Sequence, residues 1–326
     1  MKQVRWGMIG VGDVTEMKSG PAFYKTMNSS LLAVTSRTWE RAKDYAERHG
    51  VPRVYKTVDE LLTDKEIDIV YVATPPSTHR SYAIRAMEAG KHVYVEKPMA
   101  LTAAEAEEMN RIATASNRRL YVAFYRRALP YFVQVKKLLD EQVLGTILTV
   151  SVRLTRPPLP SDLDPALHTW RIDKRVGGDG YFVDMAPHTL DILDYVLGPI
   201  QGACGFSTNR AGHYEVADCV TACWQHTSGV LGNGMWSFSN GEQQAHDAVR
   251  IIGTAGELIF STFDFSPIRL ITKENTEEYK MKRPMHIQQA LIETIVDELT
   301  EKGVCPSTGE SAARTAMVLD RILQKG

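Results

Sequence analysis

Short apolar runs alternate with amphipathic stretches through the first third of this 326-residue chain. The runs have the length of buried strands, while apolar residues in the stretches between them recur every three or four positions, which is typical of helices. Five runs predict strands, at residues 4–9, 31–35, 69–73, 92–95 and 120–124. Helices are predicted between them, at residues 41–49, 82–89 and 103–116. This alternation predicts a parallel sheet that is covered on both faces.

The pattern changes beyond residue 125. Helices are predicted at 131–140 and 188–197, with a half-buried strand between them at 147–154. Four more short runs are joined by turn residues alone, at 216–224, 229–237, 248–253 and 257–261. Consecutive strands without helices between them are typical of an antiparallel sheet. Two helices, at 286–301 and 309–324, end the chain.

The length and these two patterns predict two domains, because 326 residues exceed one ordinary core. The expected division is a nucleotide-binding domain at 1–124 and an α/β domain at 125–326. The last helix of the chain is expected to pack back on the first domain.

Composition excludes several classes of protein. A net charge of -1 offers no strong basic field for nucleic acid. No apolar run approaches the roughly 20 residues of a membrane span, and the N-terminus lacks the apolar region of a signal peptide. The four cysteines show no Cys-x-x-Cys pair and no histidine at zinc spacing. We therefore expect a cytoplasmic protein with reduced, partly buried thiols, no metal site, no nucleic-acid partner and no membrane partner.

A glycine turn follows the first predicted strand. Gly10, Val11 and Gly12 precede Asp13, where the next helical pattern begins. Glycines at this place let the backbone approach a pyrophosphate, which then lies at a helix N-terminus. The third small position of this fingerprint is Thr15, and Gly20-Pro21 interrupts the helix that follows. The turn alone is weak evidence, since a purely structural turn also uses glycine.

The end of the second predicted strand offers an independent indication of the cofactor. NAD enzymes usually carry an acidic residue here that holds the adenine ribose, whereas this strand ends in Ser36 and Arg37, with Arg41 one turn further on. A hydroxyl and two guanidinium groups suit a 2′-phosphate. NADP is therefore the preferred cofactor and NAD the alternative. In the alternative, Arg37 stacks on adenine and Arg41 is a solvated helix residue.

Three longer segments resemble a known family. They are VATPPSTH at 72–79, AGKHVYVEKP at 89–98 and GGDGYFVDMAPHTLD at 177–191. Glu-Lys-Pro followed by Asp-x-x-x-His, behind a nucleotide turn, resembles the Gfo/Idh/MocA family, which includes glucose–fructose oxidoreductase and inositol dehydrogenase. The resemblance spans essentially the whole chain. It implies a Rossmann domain followed by an α/β domain on an open, mostly antiparallel sheet, whose outer face makes a homodimer or homotetramer.

The resemblance also implies residue roles. Lys97 matches the family lysine beside the nicotinamide and is expected to reach both cofactor and substrate hydroxyl. Thr74, Pro75 and His79 match the loop along the nicotinamide half of the cofactor, and Glu96 matches the carboxylate that helps place it. The implied activity is hydride transfer between nicotinamide and a secondary alcohol or ketone of a sugar or polyol.

Three residues are candidates for the proton chemistry. Oxidation of a secondary alcohol removes the hydroxyl proton as hydride leaves, and a histidine suits this task because its ordinary pKa lies near working pH. His188 is the candidate base, and Asp184, one helical turn earlier, is expected to orient the ring or bind a neighbouring hydroxyl. Lys97 would polarise the oxygen. A lysine is an alternative proton carrier, and the sequence does not separate the two roles.

Further candidates surround these residues. Trp170 and Arg171 resemble a Trp-Arg pair of the family in which arginine approaches substrate; the alternative is that Arg171 holds its loop to Asp173 or Asp179. Tyr125 is a candidate for the cleft lining. Two positions depart from the family pattern. Asp179 replaces a third glycine, which leaves the local loop shape open, and Pro187 precedes the histidine, where it affects how the helix begins.

Two other functions compete with the dehydrogenase. Family relatives include co-regulators that bind the dinucleotide without turnover, which have no need for both Lys97 and His188. Others are glycosidases that use NAD transiently; these are longer and bind NAD tightly, whereas Ser36 and Arg37 favour NADP.

Overall fold

The computed structural model describes residues 2–325, which divide into two compact units. The first contains residues 2–129 and 284–313, and the second contains 130–283 and 314–325. The expected division had a single boundary at residue 124. The structure differs from this expectation because the first unit also contains the later segment 284–313. This segment is hydrogen-bonded to the first sheet. Ser307 Oγ donates to the Val122 carbonyl at 2.7 Å, and the Val122 N–H donates to the Ser307 carbonyl at 3.3 Å.

The first unit is built on a six-stranded parallel sheet with the order 3-2-1-4-5-6. This is the order of the Rossmann dinucleotide-binding fold, in which ligands bind beyond the carboxyl ends of the strands. The strands are β1 (Val4–Ile9), β2 (Ser29–Thr35), β3 (Arg53–Tyr55), β4 (Ile69–Val72), β5 (His92–Val95) and β6 (Leu120–Val122). All residues of β4 are buried, as a sheet covered on both faces requires.

The second unit is built on an eight-stranded sheet with the order 14-13-12-11-7-10-9-8. Only the β7–β10 pair is parallel, which confirms the mostly antiparallel sheet. Its strands are β7 (Ile147–Thr155), β8 (Ile200–Thr208), β9 (Cys219–His226), β10 (Leu231–Ser237), β11 (His246–Gly253), β12 (Gly256–Phe260), β13 (Ile268–Thr272) and β14 (Thr276–Tyr279). Along β10, buried residues alternate strictly with exposed or half-buried ones, so one face of the sheet is covered.

The helices occupy both units. They are α1 (Gly20–Lys25), α2 (Trp39–His49), α3 (Val58–Thr63), α4 (His79–Glu88), α5 (Ala103–Ala115), α6 (Pro130–Asp140), α7 (Pro160–Leu163), α8 (Lys174–Gly177), α9 (Tyr181–Leu197), α10 (Gln289–Leu299) and α11 (Gly309–Ile322). The last helix begins in the first unit, and the chain re-enters the second unit at residue 314. In the described part of the chain, no helix has the length and apolar character of a membrane span.

Helix α9 begins earlier than the sequence predicts. Its first residue is Tyr181 rather than His188, and Pro187 lies inside the helix. Gly180 sets the start of the helix. Its φ of +76° is readily adopted by glycine but is strained for other residues. Proline lacks an N–H, so one hydrogen bond of the helix is lost at Pro187 without ending it.

Candidate active site

The turn after β1 is shaped for a close ligand. Gly10 has a φ of +94°, and a Cβ there would lie 2.9 Å from the Ala73 carbonyl oxygen, so the turns after β1 and β4 approach each other at this glycine. A Cβ at Gly12 would meet no atom within 4 Å. Protein packing therefore does not require glycine at Gly12, and the space beside it is open to a ligand. Val11 is half-buried and Asp13 is exposed.

Thr15 completes this turn. Its hydroxyl accepts from the Gly12 N–H at 2.9 Å and donates to the Gly12 carbonyl at 2.8 Å. Thr15 departs from the dinucleotide-binding fingerprint, which has a small residue at this position, but its side chain stabilises the turn. The chain continues as a π-helical segment, Val14–Lys18, before α1 begins at Gly20. A Cβ on Gly20 would collide with the Thr15 carbonyl and the Tyr45 hydroxyl, which explains the glycine that interrupts this helix.

Two exposed arginines follow β2: Arg37 lies in the turn after the strand and Arg41 in the first turn of α2. Neither Arg37 nor Arg41 forms an ion pair with any carboxylate of residues 2–325, although both are exposed beside the half-buried Ser36. Most other arginines of the first unit are paired, as in Arg48 with Glu16 at 2.7 Å. Two unpaired guanidinium groups and a hydroxyl therefore stand at the strand end where the ribose of a dinucleotide is recognised.

His79 contacts the backbone of the loop after β4 through its imidazole ring. Its Nε2 lies 2.7 Å from the Thr74 carbonyl and its Nδ1 lies 2.8 Å from the Pro98 carbonyl, and the residue is fully buried. Burial lowers the pKa of this imidazole. Thr74 also accepts a hydrogen bond from Thr78 Oγ1 at 2.7 Å, and Pro75 is exposed. His79 thus joins the loop after β4 to the loop after β5 and positions both.

The Glu96 carboxylate is buried among donors. It accepts from the Tyr71 hydroxyl at 2.6 Å, from Gln288 Nε2 at 2.7 Å and from the Lys97 N–H at 3.3 Å. The Tyr94 hydroxyl donates to the side-chain oxygen Oε1 of Gln288 at 2.7 Å, which fixes the orientation of this amide. A buried carboxylate needs such donors to stay stable. Tyr71 and Gln288 carry no motif of their own, and Gln288 lies 192 residues further along the chain, so the sequence does not indicate them.

Lys97 follows at the carboxyl end of β5. Its side chain is half-buried, and the Lys97–Pro98 peptide bond is cis. Tyr125 begins a 3-10 turn after β6 and is 8% exposed, with the Arg126 guanidinium 5.1 Å from its ring centroid. The residues predicted to bind cofactor therefore lie at the carboxyl ends of β1, β2, β4 and β5, at one edge of the sheet.

In the second unit, α9 carries the other candidate residues. Asp184 lies in its first turn and accepts from Arg171 Nε at 3.2 Å. The Arg171 guanidinium also lies 4.7 Å from the Trp170 ring centroid. The partner of Arg171 is therefore neither Asp173 nor Asp179. Both groups are partly exposed, so we assign this ion pair a positioning role and little stability.

The glycine-rich loop before α9 tolerates its aspartate. Gly178 and Gly180 have positive φ values of +82° and +76°, but Asp179 does not. An L-residue at Asp179 is therefore unstrained. Its carboxylate lies 3.8 Å from Lys174 Nζ and also pairs with Lys325. The departure from the family pattern thus leaves the two glycines that set the loop shape unchanged.

His188 lies one turn beyond Asp184 on the same helix. It is 5% exposed, and its ring meets the Phe263 ring edge to face at 5.8 Å between centroids. The next residue, Thr189, contacts the Thr262 hydroxyl at 3.0 Å, which attaches this part of α9 to the segment that follows β12. A nearly buried imidazole on a fixed helix is suited to proton transfer in a dry environment.

The loop before α9 is anchored by a residue that the sequence does not indicate. Asp162 is 1% exposed and accepts from the Tyr181 hydroxyl at 2.6 Å and from the Leu159 N–H at 2.8 Å. Burial raises the pKa of Tyr181, so its hydroxyl remains a donor. Asp162 thereby connects the proline-rich loop to the first residue of the helix that carries Asp184 and His188.

Family models match both units. Residues 4–124 match the oxidoreductase family with an NAD-binding Rossmann fold, and residues 132–259 match the Gfo/Idh/MocA C-terminal domain. Oxidoreductase P35 of Formosa agariphila is 36% identical over 322 residues, which cover 98% of each chain.

Solved structures share the fold over the whole chain. Levoglucosan dehydrogenase in complex with NADH and L-sorbose has a TM-score of 0.89 at 20% identity, covering 99% of this chain and 96% of that one. A 3-ketoreductase from Actinomadura kijaniata, in complex with NADP and TDP-benzene, has a TM-score of 0.82 at 25% identity, covering 99% and 97%. This chain belongs to the Gfo/Idh/MocA family and is an NAD(P)-dependent oxidoreductase.

Proposed function

We propose that the protein transfers a hydride between NADP(H) and a secondary alcohol or ketone carbon of a sugar or polyol. The observation that carries the cofactor assignment is the pair of exposed arginines, Arg37 and Arg41, that no carboxylate of residues 2–325 neutralises. The sugar or polyol class is supported by the dehydrogenase crystallised with L-sorbose and by the family.

The residues of the first unit fit a dinucleotide. Gly12 leaves open space where a pyrophosphate would approach, and the Thr15 hydroxyl holds the turn in that shape. Ser36, Arg37 and Arg41 would hold the 2′-phosphate by charge-assisted hydrogen bonds. Thr74, Pro75 and the Glu96 carboxylate would border the nicotinamide half, with His79 positioning the loop. When bound, the nicotinamide supplies the hydride acceptor or donor.

Residues of the chain would transfer the substrate's hydroxyl proton and stabilise the negative charge on its oxygen. We propose that His188 takes the hydroxyl proton during oxidation and returns it during reduction. The Lys97 ammonium would stabilise the negative charge that develops on the same oxygen. Asp184, held by Arg171, would bind a neighbouring hydroxyl or orient the imidazole, and Trp170 with Tyr125 would contact the substrate.

Removal of either arginine tests the cofactor assignment. Arg37→Ala and Arg41→Ala are each expected to weaken NADPH binding by roughly 10- to 100-fold, because a hydrogen bond to a charged group contributes about 1.5–3 kcal/mol. NADH affinity should change little. Both affinities can be measured by quenching of tryptophan fluorescence, with Arg111→Ala, an exposed arginine on α5, as the matched control. Tighter NADH binding by the unmodified protein would contradict the phosphate assignment and leave the NAD(P) dependence intact.

We also propose that copies of the chain associate through the outer face of the second sheet. On strands β11, β12 and β13, this face carries the half-buried isoleucines Ile252, Ile259 and Ile271. Apolar side chains grouped on an open sheet favour a homodimer or homotetramer.

A further inference from the structure

Two cysteines face each other across neighbouring strands of the second sheet. Cys204 on β8 and Cys223 on β9 are directly opposite in the antiparallel register, and their Sγ atoms are 3.2 Å apart. Both residues are exposed. By the register they lie on the same face of the sheet as Ile252 and Ile259, but at the opposite end, because β8 and β9 are separated from β11 by β7 and β10. The sequence predicts reduced, partly buried thiols because it contains no Cys-x-x-Cys pair, whereas these two residues are exposed.

The geometry suits a covalent bond between the two sulfurs. Directly opposed residues of an antiparallel pair have Cα atoms about 4.5–5.5 Å apart, and a disulfide accepts about 4.4–6.8 Å. The sulfurs already touch, so bond formation needs side-chain rotation and no change of register. The other two cysteines differ: Cys305 is buried in the first unit, and Cys219 lies opposite Thr208.

We propose that Cys204 and Cys223 form a dithiol modification site that small-molecule disulfides, such as oxidised glutathione, convert to an intramolecular cross-strand disulfide. One protein thiolate attacks the reagent, a protein–glutathione disulfide forms, and one glutathione thiolate leaves. The second protein thiolate then attacks the protein sulfur of that mixed disulfide and expels it as the second glutathione. The protein loses two protons and two electrons; the reagent takes up both electrons, and the two glutathione thiolates that leave take up the protons.

The Cys204–Cys223 disulfide would link the edge strand β8 covalently to β9. β8 is the last strand of its sheet and is paired only with β9. It also follows α9, the helix of Asp184 and His188, after two residues. A cross-link between β8 and β9 restricts the unfolded chain and prevents local separation of the edge. The hydrogen bond to Cys204 raises the pKa of the Cys223 thiol, so reaction should accelerate as the pH rises above neutral.

Mass spectrometry and thiol titration of the full chain test this site. Oxidised glutathione should lower the mass by two hydrogen atoms and reduce the four titratable thiols of the denatured protein to two. The thermal midpoint should rise by several degrees. Cys223→Ser should instead retain one glutathione as a mixed disulfide, without the rise. Cys219→Ser is the matched control: it should form the same disulfide and show the same rise of the thermal midpoint, with its three titratable thiols reduced to one.

Three outcomes would overturn the proposal. The first is that all four thiols persist after oxidation. The second is a disulfide between two chains, visible as a dimer on a non-reducing gel. The third is a bond that requires Cys219. Since all the readouts are independent of NADPH and of turnover, they do not depend on the proposed function.

Discussion

Replacing His188 with asparagine is expected to lower kcat by roughly 10²- to 10⁴-fold, the usual contribution of a general acid or base. Asparagine keeps a polar group of similar size in the nearly buried position beside Phe263, but it does not accept and release a proton at working pH. The residues that we propose to bind the nucleotide belong to the first unit, so NADPH affinity should be unchanged. Steady-state kinetics with fluorescence titration measure both quantities.

A histidine outside the candidate site provides the control for this variant. His246→Asn changes an exposed residue at the start of β11 and should leave kcat within about twofold. A His188→Asn enzyme that retains most of its kcat would remove His188 from the chemistry. Loss of NADPH binding in that variant would indicate a structural role instead.

Replacing Lys97 with methionine is expected to lower kcat/KM by roughly 10²- to 10³-fold, comparable to the loss of one group that stabilises a developing oxyanion. Methionine keeps an unbranched side chain in this half-buried position and removes the ammonium group with its charge. Lys65→Met, an exposed lysine of the same unit, is the control.

The pH profile of these two variants separates their roles. If His188 carries the proton, His188→Asn abolishes the rise of kcat/KM with pH that ionisation of a general base produces, whereas Lys97→Met retains that rise at a lower level. A rise that persists in His188→Asn and disappears in Lys97→Met would assign the proton to Lys97 and reverse the proposed roles.

The sequence predicts the elements whose burial is regular. Strands β1 and β5 have the predicted bounds, because every residue from Trp6 to Ile9 and from Val93 to Val95 is buried. Strand β3 was missed because its three residues are all only half-buried. Strand β8 was missed because it is an edge strand with glycines and mostly exposed residues, so its apolar pattern is weak.

The residues of the candidate site also fall into two groups, those in contiguous motifs and those that are distant in sequence. Lys97 and His188 are candidates because they belong to contiguous motifs that resemble the family. The sequence does not indicate the residues that support the site, because Gln288 reaches Glu96 and Asp162 reaches Tyr181 only in the folded chain. The predicted start of α9 at His188 is seven residues late, because the backbone conformation of Gly180 sets the start.

Transfer of deuterium from labelled NADPH tests the central claim most directly. NADPH that carries deuterium at the transferable position of the nicotinamide would be incubated with the protein and a panel of keto sugars, and the products analysed by mass spectrometry and NMR. We expect deuterium on the carbinol carbon of at least one product, in equal amount to the NADP⁺ formed, and no transfer in His188→Asn at comparable times. Tight NADPH binding without deuterium in any product, across sugars and polyol-derived ketones, would contradict a hydride-transfer function on this substrate class.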